Sequence, residues 1–188
     1  MASSYERILK ATVDLMSQKG YHGTSIHMIS EKVGVSKSTI IHHFNSKEGI
    51  LLAILEQHVP NAGRDIEILV KNDRMKGINK LKGFIQRHLQ QVHEHGDIIN
   101  LNLRETRYFN SKNRNAYMKM QHAYFQSVRN IIIQIQKEEK KLFRNLDANI
   151  VTLAILGMLN SIPQWYKKDG RLSIEEITNH IFRLITKD

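Results

Sequence analysis

The stretch Gly20–Lys47, GYHGTSIHMISEKVGVSKSTIIHHFNSK, decides how the rest of the chain is read. Thr24 stands where it can cap a short helix from Ser25 to Lys32, because a side-chain oxygen ahead of a first turn accepts from amides that lack a partner within the helix. Ile26, Ile29 and Val33 fall on one face of that helix, and Gly34 follows as the residue that turns the chain through a left-handed conformation. Ser36 then caps another short helix, running to about His43. Two short helices about a glycine turn make a helix-turn-helix unit, whose second helix can enter the major groove of DNA.

Working outward, the 3.6-residue period continues through the chain. Ser3 with Glu6 forms a capping box for a helix that carries Ile8, Thr12, Leu15 and Met16 on one face and ends at Gly20. Ser46 caps another helix from Lys47, striped by Ile50, Leu51, Ile54 and Leu55, which Pro60 and Gly63 are expected to kink or end. Further helices are expected near Lys76–Glu94, Ile98–Arg107, Arg114–Lys141, Ala148–Trp165 and Ile174–Thr186, the last opened by a second capping box, Ser173 with Glu176. The pattern predicts an all-α fold of about nine helices. Residues 1–48 form a small three-helix domain in this reading, and residues 49–188 a larger C-terminal one.

The 188 residues carry 28 Lys and Arg against 18 Asp and Glu, a formal charge of +10 that suits polyanions or anionic small molecules. The excess lies outside the opening motif: residues 1–60 hold 6 basic and 5 acidic side chains, whereas Lys71–Lys119 alone holds 11 and 4. The absence of cysteine excludes disulfides and thiolate chemistry. The longest apolar run, Ile150–Ile162, is interrupted by Thr152, Asn160 and Ser161 and is too short to cross a bilayer. With no basic-then-apolar leader pattern at the start, a cytoplasmic chain that meets no membrane is the expectation.

The opening stretch also matches a longer pattern: a helix ending in Gly20 and the aromatic Tyr21, Ile29-Ser30-x-x-Val33-Gly34-Val35-Ser36-Lys37-x-Thr39, and His42-x-Phe44-x-x-Lys47-Glu48. It resembles the DNA-binding domain of the TetR family of bacterial transcriptional regulators. The resemblance implies a homodimer that offers one recognition helix per subunit to a palindromic double-stranded operator, with a divergent C-terminal domain that binds a small effector and releases the DNA. Ser36, Lys37, Ser38 and Thr39 occupy the first turn of the third helix, where side chains reach base edges and free amides face phosphates. Lys37 could meet a guanine edge or a phosphate. Thr24, Ser25 and Lys47 suit phosphates on either side of the groove, and the alignment directs His42 to a phosphate and Phe44 to the core. The family usually has tyrosine where Ile41 stands, so Ile41 either packs on a thymine methyl or faces the core. Neighbouring histidines on a helix point about 100° apart, so His42 and His43 do not converge on one ion, and neither metal nor cofactor is expected. The other histidines, including His88, His93 and His95, lack the i, i+4 spacing of a helical metal pair, and most are read as solvated.

Beyond the motif there is no glycine-rich phosphate loop, nucleophile elbow or paired metal-ligand motif, so an enzyme is not expected. The stretches LRETRYF (Leu103–Phe109) and LGMLNSIPQWYKKDGRLSIEEI (Leu156–Ile177) resemble the TetR subset that controls fatty-acid and acyl-CoA degradation. That resemblance implies an apolar acyl tunnel with a basic mouth. Arg104 and Arg107 could meet an anionic head group or pair with Glu105 and other acids, and Tyr108, Tyr117, Tyr124, Phe125 and Trp165 are the candidate aromatic lining, with Trp165 placed to border either the pocket or the subunit interface. Ala154, Gly157 and Ser161 form a small-residue stripe that with Ile177 and Ile181 is the candidate dimer interface. The competing reading is a DNA-tethered protein whose C-terminal surface holds a protein partner instead of a small ligand.

Overall fold

A computed structural model describes residues 3–139 and 141–187, excluding the side chains of residues 58–65. Among the described residues there are eight α-helices, two short 3₁₀ segments and no strand. The helices are α1 (Ser4–Lys19), α2 (Ile26–Val33), α3 (Lys37–Phe44), α4 (Lys47–Val70), α5 (Gly77–Glu105), α6 (Ser111–Glu138), α7 (Ala148–Ser161) and α8 (Ile174–Thr186), with 3₁₀ segments at Thr106–Tyr108 and Ile162–Gln164. Helix α5 is two helices in series, because His95 leaves helical geometry at φ −132° and ψ 34°. Counted that way there are nine helices, and the break falls between Glu94 and Ile98, where the sequence places it.

The local rules explain most boundaries. Both capping boxes form: Ser3 accepts from the Glu6 amide and Glu6 from the Ser3 amide, and Ser173 and Glu176 do the same. Gly34 ends α2 in the left-handed region at φ 73° and ψ 39°, its amide donating to the Ser30 carbonyl at 2.9 Å. The Asp147 carboxylate accepts from the Asn149 and Ile150 amides at the start of α7, and those bonds hold its pKa below the usual carboxylate range.

Three boundaries differ from expectation. Ser25, not Thr24, caps α2: the extended Ser25 accepts from the Met28 amide at 3.2 Å, while the buried Thr24 gives its hydroxyl to the Gly20 carbonyl at 2.9 Å. Helix α4 continues past Pro60 and Gly63, whose side chains lie outside the described residues. Buried Ile54 and Leu55 before them and Ile66 and Leu69 after them reward a continuous helix. Helix α7 stops at Ser161 instead of Trp165, where Pro163 enters the following 3₁₀ turn.

The chain divides into two compact units. One runs up to Val59 and takes in Asp97–Lys119; the other comprises Pro60–Gly96 and Met120 onward. In the first unit Ile8, Leu9, Leu15, Ile29, Ile40, Phe44, Ile50 and Ile54 form a core that fixes α3 against α1, α2 and α4. Beside it Met16, Leu51 and Leu55 pack with Leu101 and Phe109. The second unit buries Leu81, Phe84, Ile85, Leu89 and Val92 of α5 and Val128, Ile131, Ile132 and Ile135 of α6, with Ile155 and Leu159 of α7.

Candidate nucleic-acid interface

Helix α3 has two faces with separate tasks. Ile40 and Phe44, four residues apart, are 0% and 5% exposed and belong to the core. Lys37, Ser38, Ile41 and His42 lie together on the outer face, and all four are exposed. Ile41 is 42% exposed, so it does not fill the core; its neighbour Ile40 holds that place. The Ser36 hydroxyl accepts from the Thr39 amide at 3.1 Å and lies 2.7 Å from the Ser38 hydroxyl and 2.8 Å from that of Thr39. One cap therefore orders three hydroxyls around the first turn, whose free amides attract an anion. On the other side His43 meets the edge of Tyr5, and Tyr5 stacks on Phe44 with centroids 4.8 Å apart.

The supporting helices α1 and α2 are pinned to each other. The Arg7 guanidinium donates to the Val33 carbonyl, and Lys32 pairs with Asp14 at 2.9 Å. Lys47 is half-buried and engaged within the fold. Its ammonium donates to the carbonyls of Tyr21 and Thr24 and sits 4.1 Å above the Tyr21 ring. Burial lowers its pKa, against which the charge of Glu105 acts. Thr24 is withdrawn as well, at 1% exposure, so of the three expected flanking contacts only Ser25 remains exposed. Tyr21 stacks on Tyr108 at 5.3 Å, and the Glu48 carboxylate accepts from the Asn110 amide at 2.6 Å and the Asn113 side chain at 2.9 Å. These bonds lock the start of α4 to the α5–α6 corner within the first unit.

The candidate effector residues divide between the units. In the first, Arg104 is exposed, the Arg107 guanidinium stacks 4.9 Å from the Tyr108 ring, and Tyr117 packs edge-on to Phe109 at 5.8 Å. In the second, the Tyr124 hydroxyl lies 2.7 Å from His88 Nδ1, with Phe84 against both rings; Phe125 is half-buried and Trp165 is 56% exposed. His88 and His93 are half-buried, unlike the solvated majority expected of the histidines. His88 falls on the buried stripe of Leu81, Phe84, Ile85 and Leu89, and His93 Nδ1 lies 2.6 Å from the Tyr166 hydroxyl. His95 sits half-buried at the break in α5.

On α7, Ala154, Gly157 and Ser161 are exposed alongside Ile150 at 64% and Leu153 at 56%, and a Cβ on Gly157 would meet nothing within 4 Å beyond its own stretch of helix. Ile177 is only 5% exposed. It belongs to the core of its own unit because α8 turns Ile177 and Thr178 inward; Ile181 is half-buried, and Leu184, at 67%, is the exposed apolar residue of that helix.

A family model described as tetracyclin repressor-like, C-terminal domain, matches residues 75–188. The chain belongs to the TetR family. A second model, described as bacterial regulatory proteins, tetR family, matches residues 8–54 and covers α2, α3 and the start of α4. TetR-family chains are DNA-binding transcription regulators, not enzymes. This one is similar to the HTH-type regulator YvkB of Bacillus subtilis (strain 168), with 33% identity over 109 residues, 58% of this chain and 56% of that one. The match thus spans about half the length of that relative. Its fold is similar to AibR in complex with isovaleryl coenzyme A and operator DNA (TM-score 0.86, 22% identity, 98% of both chains). It is also similar to FadR from Bacillus subtilis in complex with stearoyl-CoA (TM-score 0.80, 22% identity, 97% of both chains). Among the described residues no helix is long and apolar enough to cross a membrane.

Proposed function

We propose that this TetR-family regulator is a cytoplasmic repressor that grips a palindromic operator as a homodimer and lets go when an acyl-CoA enters its C-terminal unit. The observation that carries the DNA part is the division of α3: Ile40 and Phe44 face the core, while Lys37, Ser38, Ile41 and His42 share an exposed stripe. Lys37 and Ser38 at the helix start suit base edges and phosphates, His42 a phosphate, and Ile41 a thymine methyl. The exposed row of Ile150, Leu153, Ala154, Gly157 and Ser161 on α7 supports a self-complementary helix contact between subunits, and α8 also exposes Leu184. The isovaleryl-CoA and stearoyl-CoA bound by two structures of the same fold support the effector class.

A dimer reads an operator only when its two recognition helices lie about 34–36 Å apart, one turn of DNA. An effector releases DNA only by favouring a conformation with another spacing, since a ligand with equal affinity for both shifts nothing. The test uses fluorescence anisotropy on a duplex selected from a random library. Lys37→Ala and His42→Ala each weaken binding by ~5- to 100-fold, the cost of a lost base or phosphate contact, and leave the melting temperature unchanged. Wild-type affinity in both variants would contradict the assignment of this face to the groove.

A further inference from the structure

His88 presents a buried polar atom that the fold leaves without a partner. As a residue it is half-buried, but its Nε2 is closed off from solvent and has no hydrogen-bond partner among the described residues. Its other ring nitrogen is engaged by the Tyr124 hydroxyl at 2.7 Å, and the Phe84 ring, fully buried, lies against both groups. A leucine at this position would continue the apolar stripe of α5 at no such cost; an imidazole leaves a buried group unpaired unless something else meets it.

The geometry also decides which proton sits where. If His88 Nδ1 were the donor, the Tyr124 proton and the Nε2 lone pair would both be orphaned. If Tyr124 donates to Nδ1, a single group is left, and it is an N–H donor at Nε2. Burial pushes the Tyr124 phenol up and the His88 imidazole down to about 4, so both are neutral near pH 7. A neutral donor among apolar neighbours suits a neutral acceptor. A carboxylate placed there would lose its hydration without meeting a compensating charge.

We infer that His88 Nε2, oriented by the Tyr124 hydroxyl, donates to the carbonyl oxygen of the acyl effector and so selects a thioester over the free acid. This rests on the effector reading given above. His88 acts as a specificity-determining contact and Tyr124 as the group that positions it.

The experiment measures release of bound operator by isovaleryl-, octanoyl- and stearoyl-CoA and by the three free acids, for the wild type, His88→Leu, His88→Gln and Tyr124→Phe. The wild type releases DNA with at least one thioester at a concentration ~10-fold or more below that of its acid. His88→Leu raises that concentration ~10-fold, His88→Gln, which keeps an N–H donor, recovers most of the response, and Tyr124→Phe has a smaller effect in the same direction. Operator affinity without effector stays within about twofold throughout. A responsive wild type with an equally responsive His88→Leu overturns the inference alone, as does a preference for the free acid. A His88→Leu chain that fails to fold leaves the decision to Tyr124→Phe, whose wild-type response to the thioester overturns it. A wild type released by none of the six probes removes the effector reading and this inference with it.

Discussion

The helix-turn-helix and the C-terminal unit solve opposite problems with the same helical periodicity. In α3 the two tasks are divided between adjacent residues: Ile40 is sealed in the core and Ile41 is open to whatever the helix meets. In the second unit polar and apolar side chains share one face, because His88 stands within the stripe of Leu81, Phe84, Ile85 and Leu89 that holds the unit together. A surface site can be altered without touching the fold, whereas an interior site cannot. Substitution therefore bears differently on the two halves: a residue of the outer face of α3 can change without loss of core packing, whereas one on the inner stripe of α5 changes the core with it.

The largest effect that tests this contrast is a pH dependence. His88 has an ordinary pKa of 6.5 when unfolded and one lowered to about 4 by burial when folded. Between those values the unfolded chain binds a proton that the folded one refuses, so stability falls as pH drops from about 6.5 to 4 and is fully present above. The shift corresponds to a loss on the order of 3 kcal/mol. Carboxylates whose pKa values are held low, Glu138, Asp147 and Glu176, lose their stabilising contribution only below their ordinary values near 4, so the upper part of the window belongs to histidine. Urea unfolding at pH 7.5 and pH 5 should show the drop, and His88→Leu should flatten it. A slope that persists in His88→Leu would mean that this interior group is not as enclosed as its surroundings indicate.

How much of this was legible in the sequence depends on how far apart the deciding residues lie. The caps at Ser3, Ser36 and Ser173, the left-handed Gly34 and the inward Phe44 follow from neighbours within four residues, and each forms as read. The break in α5 was legible in the same way. Thr24 and Ser25 both have the chemistry of a cap, and only packing withdraws Thr24 and leaves the role to Ser25. Lys47 carries the family motif, but its carbonyl partners stand 23 and 26 residues earlier, a distance no local rule spans. For His88 the position on the apolar stripe could have been read from its spacing to Phe84 and Leu89. Its partner Tyr124, 36 residues on, could not.

Lys47 gives the second test, of intermediate size. If its ammonium serves the fold, Lys47→Met should cost about 1–2 kcal/mol by leaving the Tyr21 and Thr24 carbonyls without their shared donor. The dependence of operator affinity on salt should then keep its slope, since no phosphate contact is lost. Lys37→Ala, on the exposed face, should lower that slope by about one counterion and leave stability alone. A lowered slope in Lys47→Met would return that residue to the DNA surface and blur the division between a motif's structural and recognising members.

The smallest effect concerns Ile41. Its 42% exposure means that truncation removes little buried surface, so Ile41→Ala should alter stability by no more than about 0.5 kcal/mol. Its contribution should be visible only against the right base. Replacing single thymines of the operator by uracil deletes one methyl at a time, and a thymine that Ile41 covers should cost the wild type about 1 kcal/mol and Ile41→Ala almost nothing. The double-mutant cycle isolates this pair because each change removes the same contact without creating another. An equal loss in both proteins at every thymine would assign Ile41 no methyl, and leave it as an exposed apolar residue beside His42 where the family usually places tyrosine.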